Sequence, residues 1–539
     1  MFAGHRKKYI AALLSAILTT LQISGWQLSM KYNTSIHHSE IFQRIGMLNL
    51  YQCAGLAIVE FILLGLLIYW GFGRLEKNAA AAKAGAFAEP RHLWLYTGIA
   101  LYIVYVLYLL GCYPGFYCYD MGIQLPQIMY AEVPFDAHHP LLHTIIGGGL
   151  ITIGYNLYSA DLTFGVFLYN LVQMGICALC FGHAVRFVYR LTGKRVLTIL
   201  SFLFYALCPP VVLFAMATTK DVVCYAVLLT ACVKQYELCR SLTDGKKVSF
   251  TQWAGVCALL CLSCLLRKNI VYALVVFAVF AAVLLRRYWR NLLLLYLAAI
   301  LIYTGINKGM ITILGARESS AAEALSVPFQ QLARLYDEEG EAAFPGEDLE
   351  LLYSAIDPRM LDSYDPLIAD PIKTAFWYNL DTIMENKGAY LSLWVRKGLE
   401  YPGIYITSFA ANTYQAWYPW TELMDSYRYR YFDTSDWMVE YCSPLCPPLF
   451  DFYWGIMKGS YRDYPVIRLL FSTGTMFVSM LIALFYVIYR KNRPASLALL
   501  LELLVCTTCL CGPVADLRYY LILFYMFPVT LGFLLQPDK

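Results

Sequence analysis

Residues 113–144 read YPGFYCYDMGIQLPQIMYAEVPFDAHHPLLHT, and they hold no Lys or Arg. They carry two aspartates, Asp120 and Asp136, and three histidines, His138, His139 and His143, in a Tyr- and Pro-rich setting. An apolar run at about 92–112 precedes them, and about 20 such residues cross a bilayer. The stretch is therefore expected to emerge at a membrane surface. A polar, acidic loop directly after a span can bind a substrate hydroxyl and take its proton. The same residues also suit a solvated connection with a Pro-stiffened turn.

Composition outside this stretch points the same way. The 539 residues are 59% hydrophobic and only 14% charged, against roughly 25% charged in average soluble chains. The expected class is an all-α polytopic membrane protein. The net charge of +4 hides an asymmetry. Segment 307–465 has roughly twice as many acids as bases, and the remainder has the reverse. Basic short loops beside one acidic segment fit cytoplasmic loops and a large outer domain, and give no sign of nucleic-acid binding. The 17 cysteines lie mostly in apolar runs, where they act as small hydrophobes. Cys442 and Cys446 lie in the acidic segment and could pair in an oxidising compartment.

The basic loops set the topology. Arg6, Lys7 and Lys8 precede the first apolar run, which has no small-x-small cleavage site and reads as an uncleaved span. Twelve spans are expected, at about 9–28, 46–73, 92–112, 162–185, 196–216, 222–239, 252–266, 270–285, 291–306, 466–488, 495–511 and 519–535. Both termini then face the cytoplasm of a cell membrane. Residues 141–157, broken by Gly147-Gly148-Gly149, are expected in the outer interface. The domains are a transmembrane domain over 1–306 with its outer loop 113–144, an extracytoplasmic domain over 307–465, and C-terminal transmembrane helices over 466–539. In the outer domain, 321–336 and 380–399 have helical apolar spacing, and the aromatic, Pro-rich 401–453 reads as loop.

This topology brings Asp120, Asp136, His138, His139, Lys220, Asp221, Arg267, Lys268, Asp516 and Arg518 to one membrane surface. Basic residues on the outer side run against the positive-inside rule and need a reason. A phosphate supplies one, because Lys offers a point charge and Arg a two-pronged grip. Simple pairing with sequence neighbours, Lys220 with Asp221 and Arg518 with Asp516, is the competing explanation. Gln124 stands four residues after Asp120, so on a helix the two share a face. The Asp136-x-His138-His139 run could hold a divalent metal or serve as a hydrogen-bonding turn. Trp417 and Tyr418, with Tyr414 and Trp420, could stack on sugar rings or anchor a core.

These pieces resemble the GT-C superfamily of polytopic glycosyltransferases, which includes the protein O-mannosyltransferases and the aminoarabinose transferase that modifies lipid A. Tyr119-Asp120 and Asp136-Ala137-His138-His139-Pro140-Leu141 look like that class's acidic outer loop and its His-Pro-Pro-Leu-like run. YPGFYCYDMGIQ, FDAHHPLLHT, TTKD, LRKN, SVPFQQLAR, TYQAWYPW and DLRYY together are similar to an uncharacterised family of Gram-positive membrane proteins placed beside GT-C. Met121 stands where many members carry a second acid, and one Pro follows His139 instead of two.

The resemblance implies a polyprenyl-phosphate-linked sugar donor, an inverting transfer at the outer face, and a glycan, lipid or protein acceptor. It implies Asp120 as the base or acceptor-binding carboxylate, and Lys220, Arg267 and Arg518 as candidate donor-phosphate ligands. The residues themselves add Asp136 and His139 as catalytic candidates, and Gln124, His138, Asp221, Lys268, Trp417 and Tyr418 as candidates to line the substrate. The other readings are a transporter or flippase of lipid-linked sugars, a non-catalytic envelope-assembly protein, and a metal-dependent phosphotransferase acting on lipid head groups.

Overall fold

The computed structural model describes residues 2–32, 46–81, 90–158, 162–421, 444–457, 460, 468 and 470–537. It is helical, and among the described residues only isolated β-bridges interrupt the helices and turns. The principal elements are α1 (Phe2–Lys31), α2 (Leu50–Ala81), α3 (Leu93–Gly111) and the short α4 (Tyr119–Gln124). Next come α5 (Leu141–Leu157), α6 (Leu162–Thr192), α7 (Arg195–Leu207), α8 (Pro209–Ala215) and α9 (Lys220–Thr243). Helices α10 (Phe250–Leu266), α11 (Ile270–Leu284) and α12 (Trp289–Leu314) follow. Then come α13 (Ala322–Glu339), α14 (Pro402–Trp417), α15 (Thr473–Tyr489), α16 (Arg493–Leu510) and α17 (Leu521–Leu535).

Eight of the helices described are long and apolar enough to cross a membrane, or nine if α7 and α8 form one span bent by 51°. The bend has a cause. Pro209 and Pro210 have no N–H to continue the helical ladder, and the ring of Pro209 pushes Cys208 out of helical geometry. Helices α10, α11 and α15 coincide with the expected spans at 252–266, 270–285 and 466–488, but have only 17, 15 and 17 residues. The chain is thus an all-α, multi-pass membrane protein. Exposure separates its lipid face from its core: Leu63, Leu66 and Trp70 of α2 stay exposed, whereas Tyr225, Leu228 and Cys232 of α9 are fully buried. An apolar helix exposed around its circumference needs a hydrocarbon environment.

Tyrosines tie the buried helices to one another. The Tyr105 hydroxyl donates to the Tyr205 carbonyl at 2.8 Å, and the Tyr205 hydroxyl donates to the Tyr525 carbonyl at 2.6 Å. The Phe181 and Tyr205 rings stack at 4.4 Å. In an apolar bundle, such bonds satisfy hydroxyls that have no water to turn to.

A second core lies within 322–405, built on Phe329, Leu332, Leu352, Ile372, Phe376 and Leu393. The helical spacing expected at 321–336 corresponds to α13, and 380–399 forms two helices, Leu380–Glu385 and Lys387–Glu400. The segment expected as loop, 401–453, contains two helices, α14 and Pro447–Met457. Pro402, Pro447 and Pro448 stand at the helix starts, where a missing N–H costs nothing. Cys442 lies outside the described residues; Cys446 is exposed.

Helices α3 and α6 cross closely at small residues. A Cβ added to Gly182 would collide with the Trp94 carbonyl and approach the Gly98 nitrogen to 2.8 Å. Gly182→Val should therefore lower stability by about 1–3 kcal/mol in thermal unfolding of the detergent-purified chain. Gly255→Val, at a position with no neighbour within 4 Å, should leave the melting temperature unchanged. Equal behaviour of the two variants would contradict the crossing.

Candidate functional site

Four distant segments meet around Asp120. The first is the loop 113–118 leading into α4. Gly115 has φ of +95°, and a Cβ there would approach the Met216 carbonyl to 2.7 Å and collide with Asn170, so only glycine fits. A short parallel bridge joins Phe116 to Ala217, with Phe116 N–H donating to Met216 at 2.8 Å and Thr218 N–H to Phe116 at 3.0 Å. The Thr218 hydroxyl accepts from Cys118 N–H at 2.8 Å. These bonds fix the start of α4 against the start of α9, so Asp120 faces Lys220.

Asp120 is 1% exposed. Its Oδ2 accepts from Lys220 Nζ at 2.5 Å and from Arg518 Nη1 at 2.7 Å, with His139 Nδ1 at 4.0 Å. Arg518 also reaches Asp516 at 3.2 Å and Asp221 at 3.9 Å. Asp221, fully buried, pairs with Arg267. The Tyr519 ring lies between the two guanidiniums, 4.5 Å from Arg267 and 4.9 Å from Arg518. The turn carrying Arg518 is held by the Tyr225 hydroxyl, which donates to the Tyr519 carbonyl at 2.7 Å. The result is a closed network of three carboxylates and three cations.

The electrostatics follow from burial and pairing. Burial pushes the Asp120 carboxyl up, but Arg518, Lys220 and His139 outweigh it and hold it well below the usual carboxylate range. Asp120 is therefore ionised at every physiological pH. Burial also holds the His139 imidazole well below its ordinary value, against the pull of Asp120, so His139 is neutral. Its Nε2 is buried and has no hydrogen-bond partner among the described residues. Burial pushes the Lys268 ammonium down to about 8, opposed by Asp136.

The remaining residues surround this network. Lys268 donates to the Ala137 carbonyl and, at 3.2 Å, to the His138 carbonyl. Asp136 accepts from its own loop, from His138 N–H at 2.6 Å. The His138 and His139 rings meet edge-on at 4.8 Å, and Trp377 stands 6.4 Å from His138. Gln124 lies behind Asp120: its Oε1 is 2.6 Å from His143 Nδ1, and His143 Nε2 is 2.9 Å from the Tyr169 hydroxyl. Tyr169 donates to Gln173 at 2.8 Å, and Gln173 donates to the Ala217 carbonyl at 2.8 Å. Gln124 thus ends a buried relay that braces the two site loops. Among the described residues, no group of three or more His, Cys, Asp or Glu is placed to hold a metal; Asp136, His138 and His139 do not form one.

Trp417 and Tyr418 do not join the cluster. Tyr418 is buried against Gly25 of α1 and Gly474 of α15, whose missing side chains make room for it. Trp417 is 8% exposed and donates to Thr413 at 3.3 Å. A ring enclosed on both sides by helices has no face left for a sugar. Tyr519, Tyr225, Tyr169 and Gln173 go beyond what the sequence suggested, whereas His143 lies in the stretch it singled out. Tyr519 had one sequence signal, an aromatic directly after Arg518.

A multi-pass helical membrane protein with a buried charge network at one end of its bundle is the class these features define. The chain belongs to a family of unknown function, DUF6020, whose model matches residues 131–536. The match covers Lys220, Asp221, Arg267, Asp516 and Arg518 of the network and begins after Asp120. No curated protein and no solved structure matches the chain.

Arg267→Ala would strip Asp221 of its closest partner in a fully buried position. Breaking such a pair costs about 3–5 kcal/mol, so the variant should unfold at a clearly lower temperature. Arg267→Lys should recover part of the loss, since it restores charge without the two-pronged grip. An unshifted melting temperature for Arg267→Ala would show that the pair is not formed.

Proposed function

We propose that this protein is a membrane glycosyltransferase of GT-C type, with about twelve spans, cytoplasmic termini in a cell membrane, and residues 307–465 outside. It transfers a sugar from a polyprenyl-phosphate donor to an envelope glycan, lipid or protein. The observation that carries this reading is Asp120, buried and shared by Lys220 and Arg518 at the end of the bundle.

The chemistry follows from competition for those cations. A donor phosphodiester carries one charge, as a carboxylate does, but its oxygens can accept from Lys220, Arg518 and Arg267 together, and it gains a second charge as the sugar–oxygen bond breaks. On binding, it draws the cations away from Asp120. The freed carboxylate becomes more basic and accepts the proton of an acceptor hydroxyl. The acceptor oxygen then bonds to the anomeric carbon on the face opposite the breaking C–O bond. The electron pair of that bond leaves with the phosphate, whose growing charge the three cations stabilise in a water-poor site. Inversion at the anomeric carbon follows from the single displacement. The neutral imidazole of His139 is placed to position the acceptor, and Asp136 holds the loop that carries it.

One observation favours a second reading, a flippase of the same lipids. Glu502 is fully buried midway along α16, and neither of its oxygens has a hydrogen-bond partner among the described residues. Buried intramembrane carboxylates often mark transport paths.

Label transfer from a panel of polyprenyl-phosphate sugars by the purified chain tests the enzyme reading. Asp120→Asn should lose roughly 10²–10⁴-fold in rate per folded molecule, with the folded fraction measured in parallel. Full activity in the variant would remove Asp120 from the chemistry. Movement of the lipid across sealed vesicles without any transfer would favour the flippase. The pH profile adds a second check. Lys268 loses its proton as pH rises through about 8, so affinity for the anionic donor should fall above that pH. Lys268→Arg should stay charged and carry the fall to higher pH; an identical profile in both would exclude Lys268 from donor binding.

A further inference from the structure

The far end of the bundle carries a second set of cations. Helix α9 starts at Lys220, beside Asp120, and Arg240 lies twenty residues on, about 30 Å away at 1.5 Å per residue. That distance is the thickness of a hydrocarbon core. At this end a cavity of about 450 Å³ is lined by Arg240, Arg490, Lys491, Arg493, Tyr486 and Phe533, among others. A second, of about 680 Å³, is lined by Arg286, Arg287, Leu284 and Leu285 and shares Thr243 and Arg493 with the first. Six cations thus line two adjoining cavities, and among the described residues no carboxylate lines either.

Basic residues in cytoplasmic loops are ordinary; their arrangement here is less so. Arg240 has an acid within reach, Asp244 at 3.4 Å, and Arg490 donates to the Tyr486 hydroxyl at 3.2 Å. The side chains of Arg286, Lys491 and Arg493 have no hydrogen-bond or ion-pair partner among the described residues. Lys491 is held in the left-handed region, at φ of +56°, a conformation uncommon for a residue with a side chain. All three cations are exposed at the rims of the adjoining cavities, and like charges gathered there favour an anion between them. Beneath them the walls turn apolar, with Phe533, Val487, Leu284 and Leu285.

We propose that these cavities bind the phosphate-bearing headgroup of an anionic phospholipid from the adjacent leaflet. The phosphate lies between Arg286, Lys491 and Arg493, and the acyl chains lie along the apolar walls. Juxtamembrane cations attract such headgroups, and a guanidinium can grip two phosphate oxygens at once. The site is separate from the Asp120 network and does not depend on the transfer reaction.

The test uses the full chain, delipidated in detergent and titrated with phosphatidylglycerol, phosphatidylcholine or inorganic phosphate while retained lipid is counted by native mass spectrometry. Phosphatidylglycerol should bind in preference to phosphatidylcholine. Lys491→Gln with Arg493→Gln should weaken that binding roughly thirtyfold, from about a fivefold contribution per cation. Lys246→Gln with Lys247→Gln removes the same charge from the neighbouring loop, outside both cavities, and should change it little. Equal weakening by the two double variants would overturn the proposal, because it would mean diffuse surface attraction. Binding of inorganic phosphate without any preference for phosphatidylglycerol would also overturn it. Should the cavity variant fold poorly, Arg286→Gln alone should still weaken retention roughly fivefold; unchanged retention would count against the site.

Discussion

Arg518 is the contact on which the rest of the site depends. One guanidinium, nearly buried, touches Asp120, Asp221 and Asp516 and stacks on Tyr519. Removing so many charges from water is expensive, and only close geometry with several hydrogen bonds returns the cost. The surrounding structure supplies that geometry. Tyr225 holds the turn of Arg518, Thr218 holds the loop of Asp120, and Gln173 holds the loop before Lys220. Tyr225 and Gln173 stand on helices that also pack in the core, and Thr218 lies in the turn that leads into α9. The network therefore reports on the packing of the whole bundle.

The same arrangement has a consequence for ligand binding. Every charge in the network already has a partner, so the network is close to neutral and bears no large field. A cation cluster left open would be repulsive and would draw in any anion. Under the proposed reaction, the carboxylates stand in for the donor phosphate, which must displace Asp120 to bind. Under that reading the phosphodiester competes with one carboxylate for Lys220 and Arg518, and its hold on them grows as it leaves as a dianion. Binding and activation of the base become one event under the proposed reaction.

Much of this was legible in the sequence. Apolar run lengths and basic loops placed Asp120, Lys220, Arg267 and Arg518 at one surface, because a span must deliver both its flanks to membrane surfaces. The pairings were not legible. Lys220 and Asp221 look like natural partners, yet consecutive residues of a helix point about 100° apart. Lys220 therefore turns to Asp120 and Asp221 to Arg267, and only Arg518–Asp516 follows sequence proximity. The aromatic run at 414–420 illustrates the other limit. A Trp or Tyr suits a sugar face or a core equally well, and what decided Tyr418 was two glycines, Gly25 and Gly474, some 393 and 56 residues away. Helix α14 was missed because proline signals a break without saying on which side the helix lies.

The most direct test of the central claim is a structure of the purified chain with a polyprenyl phosphate bound, in lipid nanodiscs. The account predicts phosphate density within hydrogen-bonding distance of Lys220 and Arg518, with Asp120 released from at least one of them. Asp120 still paired to both, with no phosphate at the cluster, would contradict it.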